Sequence, residues 1–388
     1  MSLWWARREQ LDDYQINLIE NLPLNESCLV LGPPGSGKTN VLLRRAQFVS
    51  LQDMPNVLVL SYTRPLVEFI KTGCFDAQGR EIFPRNCVMT IESWIRWLYG
   101  THKVPLPIEV SDQIERKKLL AAGAMDFINY GLLPRYDSLF IDEAQDLVKE
   151  EVDLLSQWSA VLVFVGDAKQ KLFAQTEGLD VIGNLNPPAK IHQLPFHYRL
   201  SPKICRMADR ILSSDNGRTL AETSHYEGPK PGEIRSNGPL TRNNQLKLAG
   251  EKLIDQTRVY EDLIRQGDRL GVVVARKDDR DTVLAFFERE PQLRGKAKII
   301  RARTEHETGY DPALDPDIPI CILTVKGCKG LEFRALHWLF CEELSHYHDN
   351  QTYYTVVTRA KTSLDLYYSV ALPQELARGY SESGGELW

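Results

Sequence analysis

Apolar residues in the first half of the chain fall into short unbroken runs at 28–31 (CLVL), 57–61 (VLVLS), 87–90 (CVMT), 138–141 (SLFI) and 161–165 (VLVFV). Between them apolar positions recur at helical spacing, as in 39–50 (TNVLLRRAQFVS) and 111–122 (SDQIERKKLLAA). Short solid runs suit strands buried on both faces, and the helical stretches suit crossover helices that cover those faces. The alternation predicts a parallel α/β sheet. A second series begins after about residue 197, with strand candidates at 270–275, 297–301, 320–325, 335–341 and 364–369. Its helix candidates lie at 201–213, 245–266 and 280–290. The polar, Gly- and Pro-bearing stretches 214–244 and 302–318 read as loops. The expected organisation is two tandem α/β domains with parallel sheets, 1–197 and 198–388, with a small helical insertion over 95–136.

Composition narrows the class. At 388 residues with 43% hydrophobic content the chain can fill two or three cores. No apolar run reaches the length of a membrane span, so no membrane partner is expected. The seven cysteines are scattered and form no C-x-x-C pair, which argues against disulfides or a zinc site and for a reducing, cytoplasmic setting. The net charge is −5, whereas generic polyanion binders are basic. Any nucleic-acid contact then depends on a local basic groove rather than on the field of the whole molecule.

The candidate chemistry begins at GPPGSGKT (32–39), which fits G-x-x-x-x-G-K-[ST] between a strand and a helix. Gly32, Gly35 and Gly37 allow the tight turn that aims backbone N–H groups inward, and the helix N-terminus adds positive partial charge where phosphates would lie. Lys38 would reach the β/γ-phosphates of a bound ligand, and the Thr39 hydroxyl would hold Mg²⁺. Asp142 and Glu143 follow the run SLFI in IDEAQD (141–146). Beside a P-loop, Asp142 is a candidate Mg²⁺ residue and Glu143 a candidate to orient and deprotonate the attacking water. Asp167 and Gln170 in VGDAKQ (165–170) again follow a strand, with Gln170 placed to sense the γ-phosphate. Arg199 and Arg359 are candidates to stabilise the charge spread over the transferred phosphoryl group.

In order after GPPGSGKT, the strings IDEAQD, VGDAKQ, HYR, TVKGCKGLEF (324–333) and VVTRA resemble the motif series of superfamily 1 helicases of the UvrD/Rep/PcrA type. The resemblance runs from about residue 11 to 370. It implies two RecA-like domains, ATP hydrolysis and 3′→5′ movement on single-stranded DNA. It also implies residue roles. LDDYQINLI (11–19) is similar to the adenine-reading Q-motif, with Gln15 as reader. Tyr198 would stack on adenine, Glu332 would contact the ribose, and Arg199 and Arg359 would be the two arginine fingers. SYTRPL and TIESW resemble DNA-contacting motifs and point to Thr63, Arg64 and Ser93, while Phe173 and Lys326 occupy further nucleic-acid-contacting positions.

The chain also departs from that pattern. Gln175 stands where the family has a stacking tryptophan, a loss on the order of 1–3 kcal/mol per base. Glu92 stands where the family has His, and a carboxylate near phosphates is repulsive. Trp94 and Trp97 are candidates to replace the lost stacking, although their helical spacing also suits a core. The accessory domains of full-length relatives have no counterpart of comparable size, since 95–136 and 302–318 stand in their places. This points to a motor core and leaves duplex unwinding to a protein partner, for example a nuclease. A second reading is an ATP-gated switch subunit, for which Trp4 and Trp5 would be a docking element, whereas packing back onto the first domain is the more ordinary fate of two such residues. Single-stranded DNA is the expected track and RNA stays open as a variant, because nothing in the sequence reports contact with a 2′-hydroxyl.

Overall fold

The computed structural model describes residues 5–52, 54–76, 78–107, 110–170, 176–212, 218–229, 231–301, 314–315, 317–344 and 350–381. The chain divides into two compact units whose main bodies meet in sequence between Pro195 and Phe196.

The first unit is built on a six-stranded parallel sheet of order β3-β2-β4-β5-β1-β6. Its strands are β1 (Cys28–Leu31), β2 (Val57–Ser61), β3 (Val88–Thr90), β4 (Ser138–Ile141), β5 (Leu162–Gly166) and β6 (Lys190–Gln193). β2, β4 and β5 are buried along their whole length, which is why they read as solid apolar runs. β6 (KIHQ) is a mostly exposed edge strand whose one apolar residue, Ile191, is itself exposed, and no hydrophobic pattern announces it. The helices are α1 (Asp13–Ile16), α2 (Lys38–Ser50), α3 (Arg64–Thr72), α4 (Ile91–His102), α5 (Gln113–Gly123), α6 (Lys149–Trp158) and α7 (Gly178–Gly183).

The stretch 95–136 does not stand apart from this unit. Ile95, Leu98 and Tyr99 of α4, with Leu120 and Ala121 of α5 and Phe127 beyond it, join the same core as Leu155 and Trp158. Trp94 is fully buried, edge-on to Trp158 with ring centroids 6.1 Å apart, so it serves the core and offers no stacking platform. Trp97 is exposed. Trp5 is buried, as packing onto the protein requires, and does not offer the exposed docking element of the switch-subunit reading; Trp4 lies outside the described residues.

The second unit repeats the plan with order β7-β12-β11-β8-β10-β9, every neighbouring pair again parallel. Its strands are β7 (Glu233–Asn237), β8 (Leu270–Val274), β9 (Ala297–Ile299), β10 (Ile320–Thr324), β11 (Phe333–Trp338) and β12 (Ala360–Tyr367). Its helices are α8 (Pro202–Ile211), α9 (Arg242–Val259), α10 (Glu261–Arg265), α11 (Lys277–Arg289), α12 (Asn350–Val357) and α13 (Gln374–Ser381). β7 corrects the loop expected over 214–244. Its sequence, EIRSN, is a half-exposed edge strand whose order comes from pairing with β12, not from its own apolar content.

This unit buries more charge than its sequence suggests. Asp268 is fully buried before β8, where Oδ2 accepts hydrogen bonds from Nε and Nη2 of Arg334 (2.7 and 2.5 Å) and Oδ1 accepts one from Nζ of Lys361 (2.6 Å). Burial works to raise the Asp268 carboxyl, but Lys361 and Arg334 overcome it and hold the group below its ordinary value. His337 on β11 is buried between the Tyr367 hydroxyl and the Gln256 amide oxygen, each 2.8 Å from a ring nitrogen. All seven cysteines are free; six are buried and Cys87 is partly exposed. Among the described residues no helix is long and apolar enough to cross a membrane.

Candidate functional site

A parallel sheet collects the loops that follow its strands along one edge. In the first unit this edge carries the P-loop after β1, Thr63 after β2, Ser93 just after β3, Asp142 after β4 and Asp167 after β5. Strand register brings these segments level: Leu31 lies opposite Gly166, Ile141 opposite Leu60 and Phe164, and the Asp142 N–H donates to the Leu60 carbonyl (2.8 Å).

The P-loop has the conformation its glycines permit. Gly35 and Gly37 take φ of +74° and +83°, a region that L side chains rarely adopt. Gly37 caps α2, and a Cβ there would come within 2.7 Å of the Gln15 amide nitrogen. Gln15 is buried on α1, where its backbone N–H and amide oxygen form a reciprocal capping box with Asp12. The candidate adenine reader is thus held directly against the P-loop. Lys38 donates from Nζ to the carbonyls of Gly32 (2.8 Å) and Pro33 (2.9 Å).

The candidate metal residues are in direct contact. The Thr39 hydroxyl donates to Oδ2 of Asp142 at 2.9 Å, and Oδ1 of Asp142 accepts the Glu143 N–H at 2.9 Å. Burial, reinforced by the Glu143 charge, pushes the Asp142 carboxyl up to about 7 against the opposing hydrogen bond from Thr39. A hydroxyl and a carboxylate, both hard oxygen donors, fit a cation that keeps most of its other ligands as water and phosphate, as Mg²⁺ does. Among the described residues no cluster of three or more His, Cys, Asp or Glu forms a self-sufficient metal cage.

Glu143 has φ +55°, rare for a residue with a side chain. Gln145 completes this part of the site and was not singled out by the sequence, although it lies within IDEAQD itself. Fully buried, it donates from Nε2 to the Glu143 carboxylate (2.5 Å) and accepts the Asp167 N–H on Oε1 (3.0 Å). It thereby ties the candidate water-activating carboxylate to the segment carrying Gln170, which is also buried. The close approach depends on Gly166, where a Cβ would meet Gln145 Oε1 at 2.8 Å.

The candidate nucleic-acid contacts of this unit sit at helix starts. The Thr63 hydroxyl caps α3 by accepting the Leu66 N–H, Arg64 is the first residue of that helix, and the Ser93 N–H is capped by Thr90. Glu92 is not a bare carboxylate, because Arg96 lies 2.9 Å from it and Arg116 3.9 Å. Phe173 lies outside the described residues, as do Lys171–Gln175 as a whole.

In the second unit Arg199 and Glu332 form an ion pair at 2.9 Å. Burial works to raise the Glu332 carboxyl, but Arg199, Lys361 and Arg359 together outweigh it and hold it below its ordinary value. Arg359 is buried and donates from Nε to the Thr355 carbonyl (3.0 Å). The Tyr198 ring lies beside His225, with centroids 5.9 Å apart. Lys326 is exposed on the turn after β10, and the polar stretch 302–318 falls largely outside the described residues.

The model of an AAA domain family matches residues 15–175, which span the P-loop and both carboxylate segments. The chain is 26% identical over 173 residues to the F-box DNA helicase 1 of Gallus gallus, a match covering 41% of this chain and 17% of that protein. It is 22% identical over 228 residues to the DNA replication ATP-dependent helicase/nuclease JHS1 of Arabidopsis thaliana, covering 55% of this chain and 17% of that protein. The matched region is therefore about a sixth of each relative's length. Among solved structures, the PRRSV helicase aligns over 89% of this chain and 53% of its own at 14% identity, with a TM-score of 0.44. The C-terminal domain of a possible DNA helicase from a Lactobacillus aligns over 48% of this chain and 96% of its own at 18% identity, with a TM-score of 0.31.

Proposed function

We propose that the chain is an ATP-hydrolysing motor of the superfamily 1 helicase kind, dependent on Mg²⁺ and driven along single-stranded DNA in the 3′→5′ direction. The observation that carries the proposal is the contact series Thr39–Asp142–Glu143–Gln145–Asp167, set beside Lys38 at one sheet edge. In this reading Lys38 and Thr39 bind the phosphates and the ion, Asp142 holds the ion, and Glu143 takes a proton from water. Gln170 senses the γ-phosphate. Gln15 and Tyr198 hold adenine, Glu332 holds the ribose, and Arg199 and Arg359 stabilise charge on the transferred group. Thr63, Arg64, Ser93, Phe173 and Lys326 contact the strand, and the work done is DNA repair, replication or defence in the cytoplasm.

A second reading, an ATP-gated subunit that signals to a protein partner, is favoured by one observation: 95–136 is absorbed into the core of the first unit and leaves no separate body there to meet a duplex. The deciding experiment measures ATP turnover alone and with single-stranded DNA, duplex DNA and RNA. The motor reading expects strong stimulation by a single strand and loss of all turnover in Lys38→Ala. Turnover in the wild type that no nucleic acid alters would refute the motor reading and leave the subunit reading standing.

A further inference from the structure

The helix α5 carries a buried lysine that none of the site roles uses. Lys117 and its partner Glu151 are only 7% and 2% exposed in their side chains and lie 2.9 Å apart. The same Nζ donates to the main-chain carbonyl of Asp146 at 2.6 Å and sits over the ring of Tyr62, 5.1 Å from its centroid. Asp146 closes the turn that starts at Glu143, because its N–H donates to the Glu143 carbonyl at 3.0 Å. Tyr62 immediately precedes Thr63 and Arg64, and Gln113, the first residue of α5, donates to the Tyr62 hydroxyl at 2.8 Å. Arg116, the neighbour of Lys117, faces Glu92 beside Ser93. One short helix therefore touches the carboxylate segment and both candidate strand-contacting turns.

A buried lysine is expensive to keep charged, and a carboxylate alone would satisfy it only in part. Here the ammonium divides its donors between a carboxylate and a backbone carbonyl and lays its remaining face on an aromatic ring. A shift of the Glu143–Asp146 turn would move the Asp146 carbonyl and so act on the contacts that Lys117 makes with Glu151 and Tyr62.

We infer that Lys117 is a positioning residue that couples the ATP-hydrolysing carboxylate segment to the strand-contacting turns through Tyr62, so that nucleic acid and nucleotide sense each other inside this one unit. The inference rests on the motor reading above. Coupling of this kind changes affinity about 5- to 150-fold, and it is established by measurement rather than by adjacency.

The test compares the wild-type chain with Lys117→Met, with the charge-balanced double variant Lys117→Met/Glu151→Gln, and with Gln113→Ala, which removes the Gln113–Tyr62 hydrogen bond and leaves Lys117 in place. For each, basal turnover, turnover saturated with a single-stranded oligonucleotide, and oligonucleotide affinity with and without a non-hydrolysable ATP analogue are recorded. Coupling through Lys117 expects basal turnover to persist in the double variant while stimulation by the oligonucleotide is lost. Oligonucleotide affinity should also stop responding to the analogue, with a smaller loss of both effects in Gln113→Ala. Wild-type stimulation and nucleotide-responsive affinity in a folded double variant would overturn the inference and leave the motor reading intact. A proportional fall of basal and stimulated turnover would also overturn it, as the mark of a merely structural pair. A wild type that ignores every nucleic acid would instead overturn both.

Discussion

Replacing Asp268 with Asn isolates the cost of unbalancing charge in the second unit. The carboxylate is fully buried and is met by two cations, Arg334 on Oδ2 and Lys361 on Oδ1, whose side chains are themselves 9% and 5% exposed. Asn keeps the volume but removes the negative charge and turns an NH₂ group toward one of those cations. Breaking a buried pair by removing one partner costs about 3–5 kcal/mol, because an uncompensated charge stays inside. In a unit of this size each kcal/mol moves the melting temperature by roughly 2–4 °C, so the expected fall is about 6–20 °C. The assay is thermal unfolding at pH 7 followed by circular dichroism and calorimetry, with any separate transition of the first unit unchanged. Glu261→Gln is the control: it removes an exposed pair with Arg265 (70% and 58% exposed side chains), of the kind worth about 0–1 kcal/mol. The pH dependence adds a second check. Burial already pushes Lys361 down to about 8, although Asp268 works to raise it. Without Asp268 the lysine in the folded variant loses its proton at a lower pH, while the unfolded chain still holds it. The variant then gains stability as pH rises toward 8 and the wild type does not, so the deficit narrows in that window. A loss no greater than that of Glu261→Gln, or a deficit that is flat with pH, would refute the reasoning.

Two further outcomes are expected. Burial holds His337 down to about 4, so between pH 6.5 and 4 the unfolded chain binds a proton that the folded one refuses. Stability should fall by about 3 kcal/mol as pH drops across that range, and melting curves of His337→Asn should lose that part of the slope. Gly37→Ala places a side chain at φ +83° and displaces the Gln15 amide, so it should cost about 1–2 kcal/mol in stability and weaken binding of an ATP analogue measured by calorimetry.

The sheets were legible where burial made them so. β1, β2, β4 and β5 lie inside on both faces, and β8 and β10 likewise read as solid apolar runs. β6 and β7 are edge strands that owe their order to one neighbour each, and a mainly polar stretch with a single isoleucine carries no local mark of that pairing. The phosphate and carboxylate residues were legible because their chemistry needs fixed spacing around a turn. Gln145, Lys117 and Asp268 were not, because each acts on something distant in sequence: Gln145 on Asp167, Lys117 on Tyr62, and Asp268 on Arg334 and Lys361. Trp94 shows the converse, since helical spacing pointed to a core and the core is where it lies.

The free cysteines give the two cores built-in chemical clocks. A thiol reacts as its thiolate, and burial pushes Cys28 up to about 11 and Cys74, Cys205, Cys321 and Cys328 up to about 12, with Cys341 raised as well. In the folded chain a maleimide at neutral pH should therefore find Cys87 first. With Cys87→Ser, each remaining thiol is labelled only when its surroundings open, so labelling rates read the opening of β1 from Cys28 and of β10 from Cys321. The same silent background accepts one introduced thiol for a dye, and either unit can be followed without disturbing the residues that carry the chemistry.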